Sequence, residues 1–452
     1  MFDKFSLTLD SGNRTEAAGP FFYDQQKELE KVWAVPPLFS VYADPAVESK
    51  EFDLLYPLLT CERYGTEYRW QFFQLLSIAG GDDQRGFSKK RFTVFPFYFQ
   101  QRSPETNENY TALLPFYGHL KNRLFRDDIF FVMLPLYVQT TKKETVTDNY
   151  FYPFFHLRHG NGVNGWQFWP VVGDEHKVLT KQTNGFGDIT VIGGYHKFFA
   201  LWPFYFWQDN NLGTTNVETL RATLPLYSIA RSPMRDSTSV IWPFFSWIED
   251  REKKYVEWEG PWPFVVVARG EGKTTTRVWP LFGQSHNDSL ERNFYLWPVY
   301  RFKGIHTPLL EARQTRILFY LYIHTTEKNL ETHAEKKRVD AWPFFTYHRD
   351  FNGNNRLQIL ALIEPVLPNH RGIERNWSPL WSLWRSENNP KTGAASQSLL
   401  WNLYRHDKTP TSKKCSLLFG LFQYQSNAET KRLRLLYIPV FKSHATAGSD
   451  AK

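Results

Sequence analysis

A four-residue signature, an aromatic residue or leucine followed by proline, an apolar residue and an aromatic, recurs along this chain at steps of about 17 to 22 residues. Among its copies are Phe95-Pro96-Phe97-Tyr98, Leu114-Pro115-Phe116-Tyr117, Leu134-Pro135-Leu136-Tyr137, Trp202-Pro203-Phe204-Tyr205, Trp242-Pro243-Phe244-Phe245 and Trp279-Pro280-Leu281-Phe282. Weaker copies include Tyr56-Pro57-Leu58-Leu59, Trp342-Pro343-Phe344-Phe345, Ser378-Pro379-Leu380-Trp381 and Ile438-Pro439-Val440-Phe441. A repeat of this period is one supersecondary unit used many times, so the 452 residues need not divide into ordinary globular domains.

The unit reads as one strand followed by one turn. In Lys273 to Phe282 the β-branched and aromatic residues favour extended backbone, and a proline in mid-run excludes a helix interior. Turn residues such as Gly270-Glu271-Gly272, His159-Gly160-Asn161-Gly162 and Gly353-Asn354-Asn355 fall between signatures. Connections this short join antiparallel neighbours. The expected fold is therefore all-β, an antiparallel up-and-down meander of about 18 to 20 strands, with each proline marking a bulge near mid-strand. Alternation would put Trp202 with Phe204, Trp242 with Phe244 and Trp342 with Phe344 on one face, and Tyr98, Tyr117, Tyr137, Tyr205, Tyr227 and Tyr300 on the other. A sheet apolar on both faces fits a large closed or partly closed β-barrel, or alternatively a propeller-like soluble β-repeat. The surroundings of Trp202, Trp242, Trp279 and Trp342 separate the two: lipid-facing in a membrane barrel, buried in protein otherwise.

Along the chain, residues 1–50 lack clear copies and form an irregular segment with a short helix candidate at Gln25–Lys31; residues 51–441 form a single β-repeat domain; residues 442–452 form a disordered tail. The long step from Pro170 to Pro203 implies an inserted strand or loop around Gly185–Gly194. With 17 Trp, 23 Tyr and 39 Phe there is ample material for a core. The net charge of +8 is spread through the turns, without the clustering of a nucleic-acid stripe. Two cysteines, Cys61 and Cys415, are too few for a disulfide framework. No apolar run reaches the roughly 18 residues of a membrane helix, and the first residues lack the apolar stretch of a signal peptide.

The aromatic-Pro-Phe-Phe/Tyr strands, over about residues 50 to 441, resemble bacterial repeat proteins of the Gram-negative envelope that are often predicted as large β-barrels. The last strand, with Leu433, Leu435, Tyr437, Pro439 and Phe441, is similar to the Phe-ended final strand of outer-membrane barrels. The resemblance implies a cell-envelope or outer-membrane setting and outer-membrane lipid as a partner, and it brings no catalytic or binding residues.

Candidate chemistry is sparse. His156 and His159, three apart, fall on opposite faces of a strand, a poor pair of metal ligands. The acidic pairs Asp82-Asp83, Asp127-Asp128 and Glu249-Asp250 read as solvating turn residues. Gly185, Gly187, Gly193 and Gly194 lack the Lys-Ser/Thr of a P-loop. No catalytic, cofactor-binding or metal residue is assigned and no cofactor is expected. The chain reads as a non-enzymatic, envelope-associated barrel-like protein with a structural or transport role; the alternative is a soluble β-repeat scaffold, cytoplasmic, that binds a protein or glycan partner.

Overall fold

The computed structural model describes residues 2–82, 86, 88–183 and 187–444. The chain divides into two compact units, Met1–Asp82 together with Pro298–Lys452, and Asp83–Trp297. The described residues form a 43-stranded antiparallel sheet and a separate 2-stranded sheet. Strands are mostly five to seven residues and pair with their neighbours in sequence, except that Val172–Lys177 pairs with Gly194–Ala200 across the inserted pair.

The repeat thus holds two strands per period, because the signature is a turn. In Val94–Tyr98, the amide of Phe97 donates to the carbonyl of Val94 (2.7 Å), and Tyr98 opens the next strand opposite Val94. The same bond closes the turns at Leu113–Phe116, Met133–Leu136, Leu201–Phe204 and Ile241–Phe244. In all five the X–Pro peptide is cis, which places proline at the third position of a type VI turn. The expected bulged strands are therefore corrected to hairpins: a proline in a turn costs the ladder no donor. Val35-Pro36-Pro37-Leu38 is a further copy, closed by Leu38 to Val35 (2.7 Å). Gln25–Lys31 lies in the hairpin formed by strands Phe22–Lys27 and Glu30–Val35 and is not helical. Ser378-Pro379-Leu380-Trp381 is the short helix α2, preceded by α1 (Arg371–Asn376). Pro439 alone of these copies lies within a strand beside a register shift. The insertion forms the two-stranded sheet Thr180–Thr183 with Ile189–Ile192; Gly185 lies outside the described residues, as does the tail from residue 445.

Because antiparallel strands alternate direction, proline turns collect at one end of the strands and polar turns at the other. At the polar end Lys143 and Glu144, and Asn161 and Gly162, all have positive φ, as a type I′ hairpin requires. At the proline end each turn is bonded to the one before it. Leu114 donates to Phe97 (2.7 Å), Leu134 to Pro115 (2.6 Å), Tyr152 to Pro135 (2.7 Å), Trp169 to Phe154 (2.5 Å) and Trp202 to Pro170 (2.6 Å). The core of the unit Asp83–Trp297 lies just behind, where Phe99, Tyr110, Ala112, Leu120, Phe131 and Val138 pack together on one face. The other face carries an aromatic ladder, Phe130–Tyr137–Tyr150–Phe155, with centroids 6.2, 5.2 and 5.9 Å apart.

The first strand, Phe2–Ser6, pairs with Gly12–Ala17, and the last, Ile438–His444, with Thr430–Leu435; among the described residues no ladder joins the two. The sheet is open, which corrects both the closed barrel and the propeller. The envelope-associated, outer-membrane role falls with the barrel, since an open sheet leaves edge amides and carbonyls without partners in hydrocarbon. No described helix is long and apolar enough to cross a membrane.

Candidate functional site

Two features stand out, a rim on the surface and a polar cavity open to solvent on one side. The first is the rim of proline turns. Trp202, Trp242 and Trp279 are 40%, 45% and 36% exposed, and Trp342 is half-buried with its indole N–H donating to the carbonyl of Leu362 (2.9 Å). None lies on a strand face, so they are neither the lipid face of a barrel nor a packed core. Beside them Phe97, Phe204 and Phe244 are exposed. Ring contacts link successive turns, Phe264 to Trp279 (5.8 Å) and Trp279 to Trp297 (5.9 Å).

The second feature is a polar cavity of about 350 Å³ inside the unit Met1–Asp82 with Pro298–Lys452. Part of its lining, Arg14, Arg338, Arg385 and Glu387, follows from strand alternation: an Arg-x-acid pair puts a cation and an anion on one face of one strand. Four such pairs close as ion pairs in this unit: Arg14–Glu16 (2.6 Å), Arg338–Asp340 (2.8 Å), Arg385–Glu387 (2.5 Å) and Arg405–Asp407 (2.8 Å). Neighbouring strands add partners in register, Arg338 opposite His348, His348 opposite Arg356, and Arg356 opposite Glu387.

The segment carrying α1 and α2 ties the N-terminal strands to this wall. Arg375 bridges Glu51 (2.6 Å) and Asp53 (2.7 Å), the Asn376 amide donates to Asp53 (2.9 Å), and Tyr23 donates to the Arg375 carbonyl (3.0 Å). Glu364 accepts from Gln358 (2.9 Å), Trp381 (2.9 Å) and the Ser378 hydroxyl. Arg385 and Glu387 lie deep in the unit, yet 37% of the Arg385 side chain is open because it faces the cavity. Burial lifts the Glu387 carboxyl, but Arg385 and Arg356 more than offset this and hold it below the usual carboxylate range. Burial first, and then Arg356 and Arg338, push His348 below the ordinary histidine value. A smaller cavity of about 90 Å³ shares Arg14, Arg385 and Glu387.

The residues weighed from sequence lie elsewhere. His156 is half-buried and lowered by burial and then by Arg158, while His159 sits 3.8 Å from Asp148. Asp127 and Asp128 are strand residues rather than turn residues; Asp128 binds His119 (2.7 Å). Glu249 and Asp250 end a strand, and Asp250 is buried. Asp82 also ends a strand, and Asp83 lies outside the described residues. Cys61 and Cys415 are free, and among the described residues no cluster of three or more metal-ligating side chains occurs. The cavity residues were missed because an Arg-x-acid pair also reads as solvated charge; its recurrence in four strands was the available signal. No protein-family model matches the chain, and no curated protein matches it.

Proposed function

We propose that this chain is a β-repeat binding scaffold that docks a protein partner along its rim of proline turns. The observation that carries the reading is the exposed row of Trp, Phe and Leu side chains on turns bonded one to the next. Apolar patches larger than a few hundred Å² mark interaction sites. The rim has the composition of an interface core, rich in Trp, Tyr and Phe and poor in Lys, Glu and Asp. Its backbone is held by the turn bonds, so docking orders few groups. The apolar layer is one turn deep, with charged and amide side chains beginning within the adjoining strands, as at Gln100 and Gln101. That is far short of the roughly 9 to 11 apolar-banded residues a membrane strand needs.

A photo-crosslinking amino acid placed at Phe97 or Phe244 in the native cell, with Lys143 and Asn161 at the polar end as controls, tests this. Discrete protein adducts at the rim positions, lost when Trp202 and Trp242 are both replaced by serine, are expected. Adducts to lipid or glycan alone, or equal adducts at both ends, would overturn the reading.

A further inference from the structure

We infer that the hairpin tip Leu124-Phe125 attaches this protein to the surface of an anionic lipid bilayer. The tip lies at the polar end of the strands, opposite the rim, so the inference does not rest on the docking reading.

The strands Tyr117–Arg123 and Arg126–Val132 meet in a two-residue turn, with Arg123 paired to Arg126 at its base. Leu124 and Phe125 both have positive φ (51° and 60°), a conformation that bulky residues rarely adopt and that Asn-Gly fills without strain. The next two turns at this end carry Lys143-Glu144 and Asn161-Gly162 instead. Leucine followed by phenylalanine is otherwise a rim turn, as at Leu318-Phe319, where the two side chains are 42% and 50% exposed. At the tip Leu124 is 61% exposed and Phe125 94%, the highest of any large apolar side chain among the described residues. The pair thus covers nothing inside the molecule and sits in a backbone conformation it disfavours, which points it at something outside.

What surrounds the pair selects a bilayer over a protein pocket. The core of a protein interface is broad and depleted in lysine. This apolar surface is two side chains wide and ringed by cations. Arg123 and Arg126 flank it in sequence, and Lys142 and Lys143 stand on the next hairpin, whose Lys143 amide donates to Asp127 (2.6 Å). Arg126, Lys142 and Lys143 are exposed and make no ion pair among the described residues. Over residues 121–128 and 141–145 five Lys and Arg meet three acids, of which Asp128 is held by His119 (2.7 Å). On the other flank Glu108 is bonded to Lys89 (2.8 Å), and Arg102 offsets Glu105 in the local charge. An apolar tip with spare cations behind it suits an interfacial anchor: the two side chains enter the headgroup boundary, the cations meet lipid phosphates, and no strand enters hydrocarbon.

The test is sedimentation of the full chain with vesicles of phosphatidylcholine alone and of phosphatidylcholine mixed equally with phosphatidylserine. Binding should favour the anionic vesicles by about ten-fold or more and fall with added salt. Leu124→Asn with Phe125→Gly, which installs the favoured pair for this turn, should weaken that binding by about ten-fold or more while the melting temperature holds or rises. Arg126→Gln with Lys143→Gln should weaken it by about ten-fold. Equal binding to both vesicles, binding indifferent to the turn replacement, no sedimentation with either vesicle, or protein adducts without lipid adducts from a photo-crosslinker at Phe125 would overturn the inference. So would a turn replacement that lowers the melting temperature together with binding, because it would assign the pair to the fold.

Discussion

Arginine two residues from an acid in a strand carries charge into the interior of the unit Met1–Asp82 with Pro298–Lys452. The pair shares a face, so both members turn inward together, and the arginine supplies the counter-charge that lets the acid be buried. Asp340 is 2% exposed, held by Arg338 and by the Thr346 hydroxyl. Removing one member should be costly because the other is left charged and unpaired. Arg338→Met is expected to destabilise the strand Glu335–Ala341 by about 3 to 5 kcal/mol, and Arg338→Met with Asp340→Asn by clearly less. Hydrogen exchange across that strand measures both; equal losses would show that the pair's charge is not what matters there. The rim tryptophans behave oppositely. Being about half exposed, Trp242 contributes far less to stability than a packed side chain such as Leu120, a position that assigning these tryptophans to a strand face could not reveal.

At the scale of the hairpin, glycine sets how closely neighbouring strands pack. Gly118, Gly173 and Gly283 each stand second in the strand leaving a proline turn, and each faces a phenylalanine across the ladder, Phe131, Phe199 and Phe294 respectively. A Cβ at Gly283 would meet the Phe294 ring at 2.2 Å, and one at Gly173 the Phe199 ring at 2.4 Å. The ring lies over the bare backbone and shields it. Gly283→Val should therefore expel the ring and cost about 1 to 3 kcal/mol, read as a lower denaturation midpoint with near-ultraviolet ellipticity changed and far-ultraviolet ellipticity kept. An unchanged near-ultraviolet spectrum would mean that the ring does not occupy this place. The glycines are plain in the sequence, but their ring partners are not. The partner lies 11 to 26 residues away, and only the strand pairing says which phenylalanine it is.

Within the unit Asp83–Trp297, the strands of the large sheet bond to their neighbours along the chain, bypassing only the inserted pair, so this stretch is close to one-dimensional. Deleting one full period, residues 136–153, joins Pro135 to Phe154 and keeps every later strand in its direction. That variant should fold, with the β-sheet circular dichroism of the parent. Deleting only residues 136–144 reverses all later strands, moves their proline turns to the polar end and should give an aggregating product; two equally well-folded variants would refute the one-dimensional account. Several properties follow from sequence alone: β structure, the period near 20 residues, and antiparallel neighbours. They depend on local propensity and short connections, which act within a few residues. Tertiary structure decided the rest. A proline every 20 residues fits one long bulged strand or two short strands around a turn, and the bond from Phe97 to Val94 selects the turn. Whether the sheet closes depends on the first and last strands meeting across the full length of the chain, and no local pattern encodes that. The inward face of the Arg-x-acid pairs is likewise set by which side of the sheet the segment of α1 and α2 covers, and that contact joins Arg375 to Asp53 across more than three hundred residues.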